Sequence, residues 1–317
     1  MLKVNPCFWI LWASVATFAG QAATPPGQPK SGPGGADCSH QEVLAREYGA
    51  GAQAYWLFEP AQPTPASAPV IVFSHGWSAM NPHAYGAWIE HLVKRGSIVV
   101  YPVYQDNLRT PPRDFTPNAI AAVKDAIQRL QKEPGHVKPE LDKFALAGHS
   151  MGGVLSANMA ALWAEAGLPK PRAVMCVEPG KTWGVVKAIA ITLEDLSRIP
   201  KETLLISVVG DNDNIEGSTD AKRIFRESTQ IPLENKNFVT LVSDAHGQPA
   251  LRANHFAPVL SNALNYYGTW KLLDALTDAA FYGRNRNFAL GNTPEQRFMG
   301  RWSDGVPVKE MIISVSP

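Results

Sequence analysis

The sequence predicts an α/β protein whose central sheet is mostly parallel and is covered by helices on both faces. Short, continuous apolar runs alternate along the chain with longer segments in which apolar residues recur every three or four positions. The first pattern is typical of strands buried on both sides, and the second of amphipathic helices. With 317 residues, of which 45% are hydrophobic, the chain is long enough for one such domain.

The alternation follows a proline-rich loop at residues 60–69, and an opening pair of strands is predicted before that loop, within residues 43–58. The later strands are predicted at residues 70–73, 97–101, 144–147, 173–177, 204–209 and 238–242. Helices are predicted at residues 85–95, 119–130 and 153–166. Because parallel strands need crossover connections, this order favours a parallel sheet.

The first 22 residues have the composition of a secretory signal peptide. Lys3 gives a positive start, residues 7–19 are apolar, and Gly20-Gln21-Ala22 places small residues at positions −3 and −1 of a cleavage site. The apolar stretch is short for a membrane span, and a retained anchor is the alternative. We therefore expect a secreted or periplasmic protein with no stable membrane span after processing.

The remaining chain is predicted to consist of a linker and one large domain. Residues 23–42 form the linker, since residues 24–36 are rich in proline and glycine. Residues 43–317 form the α/β domain, in which residues 181–200 are a candidate cap. The polar, glycine-rich tail at residues 281–317 lies outside the alternation, and the sequence predicts no role for it.

Charge and cysteine content restrict the classes of partner. Lys3 is the only charged residue among residues 1–22, so their removal leaves 28 basic and 28 acidic residues. This balance gives no reason to expect nucleic acid or an anionic membrane surface as a partner. Cys38 and Cys176 remain, and in an oxidising compartment they either form a disulfide or stay as thiols, with Cys176 buried in a strand. The sequence leaves the oligomeric state open.

The stretch Phe144-Ala-Leu-Ala-Gly-His-Ser-Met-Gly-Gly153 is the strongest chemical signal in the chain. It places Ser150 in a G-x-S-x-G pattern between a predicted strand and a predicted helix. Glycines at positions 148 and 152 allow a very tight turn, which exposes the serine hydroxyl at the end of the strand. We therefore predict that Ser150 is a nucleophile.

A nucleophilic serine needs a base and an acid, and in this architecture the acid and then the base follow it in loops after later strands. Asp213, in the loop after residues 204–209, is the preferred acid. Asp211 in the same loop and Glu178, directly after residues 173–177, are the alternatives. The run Asp211-Asn-Asp-Asn214 lacks the oxygen ligand and the glycine that a calcium loop needs next, so no calcium site is predicted.

The preferred base is His246, which lies about four residues beyond the strand at 238–242, and His255 is the competitor. His91, His136 and His149 are interpreted as a helix-surface, a loop and a turn residue, respectively. No pair of histidines has the spacing of zinc ligands, so neither a metal nor a cofactor is predicted.

Two backbone amides are predicted to stabilise the oxyanion of an acyl-transfer reaction. Met151 follows the serine at the start of a helix, where N–H groups point outward. Trp77 lies in the loop Ser74-His75-Gly76-Trp77-Ser78 after an early strand, and Gly76 lets that loop turn sharply. The Trp77 side chain is predicted to form a wall of the cleft, the alternative being a surface-packed aromatic residue.

Together these motifs resemble the α/β-hydrolase superfamily across residues 70–258. The serine turn Gly-His-Ser-Met-Gly-Gly is similar to that of bacterial cutinases, polyester hydrolases and chlorophyllase-like esterases. The resemblance implies that the amides of Trp77 and Met151 form the oxyanion hole. The pattern His255-Phe-Ala-Pro258 is also cutinase-like and favours His255 as the base, although a stretch containing His246 is inserted before it.

The sequence thus predicts an exported serine hydrolase that cleaves small or polymeric carboxylic esters through an acyl-enzyme. A peptidase or amidase of the same fold would use the same residues. An acyltransferase would need to exclude water, for which the candidate cap is suited. A non-catalytic binding protein would be expected to lose a member of the triad, whereas all three positions are filled here.

Overall fold

A nine-stranded sheet organises the part of the chain that the computed structural model describes, residues 22–180 and 190–317. Its strands are β1 (Glu42–Tyr48), β2 (Tyr55–Ala61), β3 (Ser67–Ser74), β4 (Ile98–Pro102), β5 (Lys138–His149), β6 (Pro171–Val177), β7 (Leu204–Gly210), β8 (Lys236–Leu241) and β9 (Ile312–Ser314). They lie in the order β1-β2-β4-β3-β5-β6-β7-β8-β9. Strands β3 to β8 are mutually parallel, while β1, β2 and β9 are antiparallel to their neighbours.

Helices cover both faces of this sheet. They are α1 (Gly86–Lys94), α2 (Phe115–Lys132), α3 (Met151–Ala161), α4 (Trp163–Ala166), α5 (Thr219–Glu227), α6 (Trp270–Tyr282) and α7 (Pro294–Arg297). Apolar residues of α1 and α6 pack on one face, and those of α2, α3 and α5 pack on the other. The predicted fold class, with a mostly parallel sheet between two helical layers, is confirmed.

Three local features differ from the prediction. Strand β5 begins at Lys138, well before the apolar run at 144–147, because its polar first half pairs with the start of β3 across a bulge. The helix predicted at 153–166 is divided at Leu162, whose φ and ψ are −87° and 1°. The helix α3 has no polar face, since all eleven of its residues are buried beside the central strands.

The segment predicted as a linker is packed against the domain. Residues 22–41 contain no helix or strand, but the Gly34 amide donates to Asp274 Oδ2 at 2.7 Å and the Gln248 amide donates to the Ala23 carbonyl at 2.8 Å. Gly34 itself is buried. The expectation of a free tether is therefore wrong for this stretch, because its backbone polar groups have partners in the domain.

The two candidate processing and cap segments are only partly described. The signal-peptide prediction falls on residues 1–22, of which 1–21 lie outside the described residues. Of the candidate cap, 181–189 also lie outside them, whereas Ile191, Leu196 and Ile199 belong to the core on the α3 side. The described end of the cap segment is thus part of the hydrophobic core.

The tail at 281–317, for which the sequence predicted no role, adds β9 to the edge of the sheet and holds a loop in place. Trp302 is buried, and its indole Nε1–H donates to Asp244 Oδ2 at 3.0 Å. The Lys309 amide donates to the same oxygen at 3.0 Å. The tail therefore fastens the loop that follows β8.

Cys38 and Cys176 are both free thiols, and Cys176 is buried in β6. Of the two alternatives left open by the sequence, a disulfide or two thiols, the structure thus corresponds to two thiols. In the described part of the chain, no helix has the length and apolar content required to cross a membrane.

Candidate active site

Ser150 lies on the sharp turn between β5 and α3. Its φ and ψ are 57° and −125°, a conformation that is strained for a residue with a side chain. The surrounding backbone fixes it: the Ser150 amide donates to the Val177 carbonyl at 2.9 Å, and the Gly153 amide donates to the Ser150 carbonyl at 2.9 Å. The turn therefore holds the hydroxyl in one position at the carboxyl end of the parallel strands.

The glycines of the G-x-S-x-G pattern are required by close backbone approach. A Cβ atom at Gly148 would lie 2.2 Å from the Gly152 carbonyl oxygen. A Cβ atom at Gly152 would lie 2.0 Å from the Ser74 carbonyl oxygen of β3. Any side chain at these positions would push the strand and the helix apart, which is the reason inferred from the sequence for both glycines.

The structure brings Ser150, His255 and Asp213 together in a hydrogen-bonded row. The Ser150 hydroxyl lies 3.0 Å from His255 Nε2, and His255 Nδ1 lies 3.0 Å from Asp213 Oδ2. An ionised carboxylate only accepts, so Nδ1–H donates to Asp213 and Nε2 is left to accept from the serine. This is the arrangement in which an imidazole removes a proton from a serine.

The expectation that His246 lies beside Ser150 is wrong. His246 Nε2 instead pairs with Asp304 Oδ2 of the tail at 2.7 Å, and about a third of its side chain (35%) is exposed. The reason is a small excursion of the chain after β8. Asp244 and Leu251 form an antiparallel bridge with two backbone hydrogen bonds of 2.8 Å. His246 lies within the excursion, whereas His255 follows it and returns to the serine.

Asp213 is the carboxylate that contacts the base, and the two alternatives have other partners. Asp211 accepts hydrogen bonds from the amide and hydroxyl of Ser243, at 2.9 and 2.5 Å. Glu178 Oε2 is 3.9 Å from His255 Nδ1, which is too far for a hydrogen bond. The structure thus places Asp213, rather than Asp211 or Glu178, in the position predicted for the acid.

The two carboxyl groups near His255 differ in charge. Burial raises the pKa of Glu178 to about 9, and the negative charge of Asp213 adds to the effect. Burial acts on Asp213 in the same direction, but hydrogen bonds from His255 and from the amides of Glu216 and Ile215 outweigh it and lower its pKa. At neutral pH, therefore, Asp213 is ionised and Glu178 is protonated, since two adjacent carboxylates repel each other.

The amides of Trp77 and Met151 are free to meet a substrate. Neither donates a hydrogen bond to another residue in the described ranges 22–180 and 190–317. A Cβ atom at Gly76, directly before Trp77, would lie 3.3 Å from Ser150 Cβ, so this loop lies against the serine. The two amides therefore approach the serine from the β3 loop and from the start of α3.

Two hydrogen bonds hold the loop that contains Trp77. The Gly76 amide donates to the Tyr85 phenol oxygen at 3.0 Å, and the Ser78 amide donates to Gln105 Oε1 at 2.9 Å. The Trp77 side chain is 40% exposed. A large part of the indole is therefore accessible to solvent.

Residues 71–206 match the family model for the alpha/beta hydrolase fold. This segment runs from within β3 to within β7 and includes the serine turn, and its strands lie at the centre of the sheet described above. The chain has the α/β-hydrolase fold. The match also suggests hydrolase activity. No curated protein matches the chain closely enough to count as a relative.

One group of side chains beside Ser150 has the composition of a metal site. His149, Glu178 and His255 each offer a ligand atom within 4.8 Å of the others, and all three residues are buried. However, both nitrogens of His255 already contact the serine and the aspartate described above. A metal ion at this position would therefore have to displace the hydroxyl or the carboxylate from the imidazole.

Two residues behind the hydrolase site were not predicted to belong to it. The Tyr85 phenol oxygen lies 2.8 Å from His149 Nδ1, and His149 Nε2 faces Glu178 Oε2 at 3.3 Å. Burial lowers the pKa of His149 to about 3, so this imidazole is neutral. Its position next to Ser150 in the sequence was a signal for His149, but nothing in the sequence singled out Tyr85.

Proposed function

We propose that the protein is an exported serine hydrolase that cleaves carboxylic esters through an acyl-enzyme intermediate. The observation that carries this proposal is the row Ser150–His255–Asp213, with both contacts at 3.0 Å. The strained serine turn and the fold supply the context in which such a row acts on acyl groups. No metal or cofactor is needed for the chemistry.

In the proposed reaction, Ser150 attacks the ester carbonyl while His255 takes the proton of the hydroxyl. Asp213 holds the imidazole in the required tautomer and stabilises it when it becomes charged. The imidazolium then gives the proton to the leaving alcohol. A water molecule, activated by the same imidazole, releases the acyl group from Ser150.

The developing oxyanion is stabilised by the amides of Met151 and Trp77. Both are free of other partners among the described residues, and both lie beside the serine. Each such donor is typically worth about 3–4 kcal/mol of the barrier because its dipole is already oriented.

Apolar side chains around the site favour an apolar acyl or alcohol group. Trp77 and Phe256 are 40% and 58% exposed. Trp77 follows Gly76, which lies against Ser150, and the Phe256 ring contacts the His255 ring edge-on with centroids 5.7 Å apart. Exposed apolar groups at a site are typical of contacts with apolar ligands. The proposed substrates are therefore small or polymeric esters with apolar chains.

The experiment that tests the function is hydrolysis of p-nitrophenyl esters, from acetate to octanoate, by the chain beginning at Ala23. Ser150→Ala and His255→Ala are expected to lower kcat/KM by about 10⁴-fold or more, since members of a triad act as a unit. His246→Ala is the matched control, because His246 also pairs with an aspartate but lies outside the site. It is expected to retain wild-type activity.

Two outcomes would contradict this assignment. Loss of activity in His246→Ala together with retention in His255→Ala would show that the observed row is not the catalytic one. A folded wild-type protein that cleaves none of the esters would remove ester hydrolysis as the function. Amide substrates and acyl acceptors would then separate the peptidase and acyltransferase alternatives.

A further inference from the structure

We propose that Glu178 is a second positioning carboxyl group for His255, which holds His149 in the native site and orients the base when a neutral side chain replaces Asp213. This inference rests on the proposed function, because it assigns a reserve acid to the same triad. It concerns a residue that touches neither substrate nor the reacting atoms.

The backbone directs the Glu178 side chain into the site. Glu178 follows β6 directly and is 1% exposed, with a φ of 44° that is unusual for a residue with a side chain. Its amide donates to the Val208 carbonyl at 2.7 Å, which fixes this turn. Space for the carboxyl group is provided by Gly210, where a Cβ atom would lie 2.8 Å from Glu178 Oε1.

Glu178 Oε2 stands between two imidazoles. It is 3.3 Å from His149 Nε2 and 3.9 Å from His255 Nδ1. The Tyr85 phenol oxygen contacts the other nitrogen of His149, so both nitrogens of this imidazole have a partner. A shift of about 1 Å would bring the same oxygen within hydrogen-bond distance of His255.

In the native site Glu178 is protonated and does not form a hydrogen bond with His255. Asp213 is ionised and closer to His255, and its charge helps to keep the Glu178 carboxyl protonated. Neutralising Asp213 removes that repulsion, so Glu178 ionises at lower pH than in the native protein. The groups facing Glu178 are Asp213 after β7, His149 at the end of β5 and His255 after β8; the Tyr85 phenol lies behind His149.

The test compares Asp213→Asn with Asp213→Asn/Glu178→Gln between pH 6 and 10. The first variant keeps the oxygen that accepts from the Ile215 and Glu216 amides, which preserves the loop. Its residual kcat, after subtraction of the rate of Ser150→Ala, is expected to rise with pH as Glu178 ionises. The residual kcat of the double variant is expected to be about tenfold lower, and it is expected not to increase with pH. Both effects follow if the Glu178 carboxylate orients the imidazole.

Two further variants separate this role from a merely structural one. Asp213→Asn/Asp211→Asn replaces a neighbouring carboxylate that contacts Ser243, and it should keep the rise with pH. Glu178→Gln in the wild-type background completes the double-mutant cycle. The factor by which Glu178→Gln lowers kcat should be smaller in the wild-type background at pH 7 than in the Asp213→Asn background at pH 9. Asp213→Ala provides a second background if the asparagine variant does not fold.

Equal residual kcat and equal pH profiles in the single and double Asp213 variants would overturn the inference, as would loss of the rise in the Asp211 control. Residual activity of Asp213→Asn no higher than that of Ser150→Ala would overturn it as well. Failure of the proposed function has a different signature, because the wild-type protein would then show no Ser150-dependent ester hydrolysis.

Discussion

The charge of a single buried carboxyl group distinguishes the two acids beside His255. Asp213 and Glu178 both lie near the same imidazole nitrogen. The Asp213 anion is stabilised by His255 and by two backbone amides at 2.9 and 3.0 Å, whereas Glu178 has one backbone hydrogen bond, from Gly210, which burial outweighs. Glu178 is buried against a neutral imidazole and next to an existing negative charge. The local supply of hydrogen-bond donors therefore decides which carboxyl group is ionised.

Because Glu178 is protonated in the folded protein, its ionisation is predicted to make the free energy of unfolding depend on pH. Its pKa is about 9 in the folded protein and returns to its ordinary value near 4.5 in the unfolded chain. Between these values the folded protein holds a proton that the unfolded chain has released, so the free energy of unfolding falls as pH rises. The contribution is complete below about pH 4.5 and is lost by about pH 9.

Urea unfolding of the wild type and of Glu178→Gln from pH 5 to 9 measures this contribution. The difference between the two free energies of unfolding should change with pH by at most about 1.4 kcal/mol per unit, the limit for one proton. Lys271, whose pKa burial lowers to about 7, has the opposite effect, but it is present in both proteins and cancels. Parallel curves for the two proteins would contradict the assignment of the proton to Glu178.

At the scale of elements, the loop after β8 and the tail form one unit. Asp244 accepts from the His246 amide at its start, while Trp302 and Lys309 of the tail donate to its other oxygen. These hydrogen bonds hold the two ends of the loop that contains His246 close together. The chain continues from the end of this loop to His255. The tail, for which the sequence predicted no role, thus fastens the loop that precedes His255.

Asp244→Asn tests this coupling. The amide group can no longer accept at both oxygens, so buried donors lose partners, at a typical cost of about 1–3 kcal/mol. We expect a lower free energy of unfolding in urea and a reduced kcat, because His255 lies a few residues beyond the loop. Asp304→Asn, which removes the exposed contact to His246, is the control and should have a smaller effect on both. Equal effects of the two substitutions would show that the tail does not hold the loop through Asp244.

At the scale of the whole molecule, Asp274 links the segment before β1 to the helices α1 and α6. This buried residue of α6 accepts from the Gly34 amide at 2.7 Å, contacts His91 Nε2 of α1 at 2.8 Å and lies 3.1 Å from Arg95 Nε. The segment before β1 is thereby held against the helical layer formed by α1 and α6. The residues predicted as a linker are therefore hydrogen-bonded to the domain.

Asp274→Ala is expected to lower the free energy of unfolding by about 3–5 kcal/mol, since it leaves buried partners of a charged group unpaired. Thermal and urea unfolding check this prediction, and limited proteolysis should cut within residues 22–41 of the variant. Glu90→Ala is the control, because it removes an exposed pair with Lys94 on the same helical layer. A variant as stable and as protease-resistant as the control would show that Asp274 does not fasten this segment.

The sequence by itself determined the features that depend on neighbouring residues. The alternation of apolar runs predicted the parallel strands. The turn at Ser150 was predictable because Gly148 and Gly152, only two residues away on either side, have no side chains to prevent it. The loop containing Asp213 was also predictable, because polar residues directly after a buried strand lie at the edge of the sheet where the serine turn is.

Only the tertiary structure decided which histidine meets the serine. Ser150 and His255 are 105 residues apart in the chain, and Asp213 and His255 are 42 apart, so their contacts depend on the paths of intervening loops. The bridge between Asp244 and Leu251, and the tail that fastens it, have no local sequence signature, and they carry His246 away from the site. The charge state of Glu178 likewise depends on burial and on Asp213, which are properties of the folded molecule.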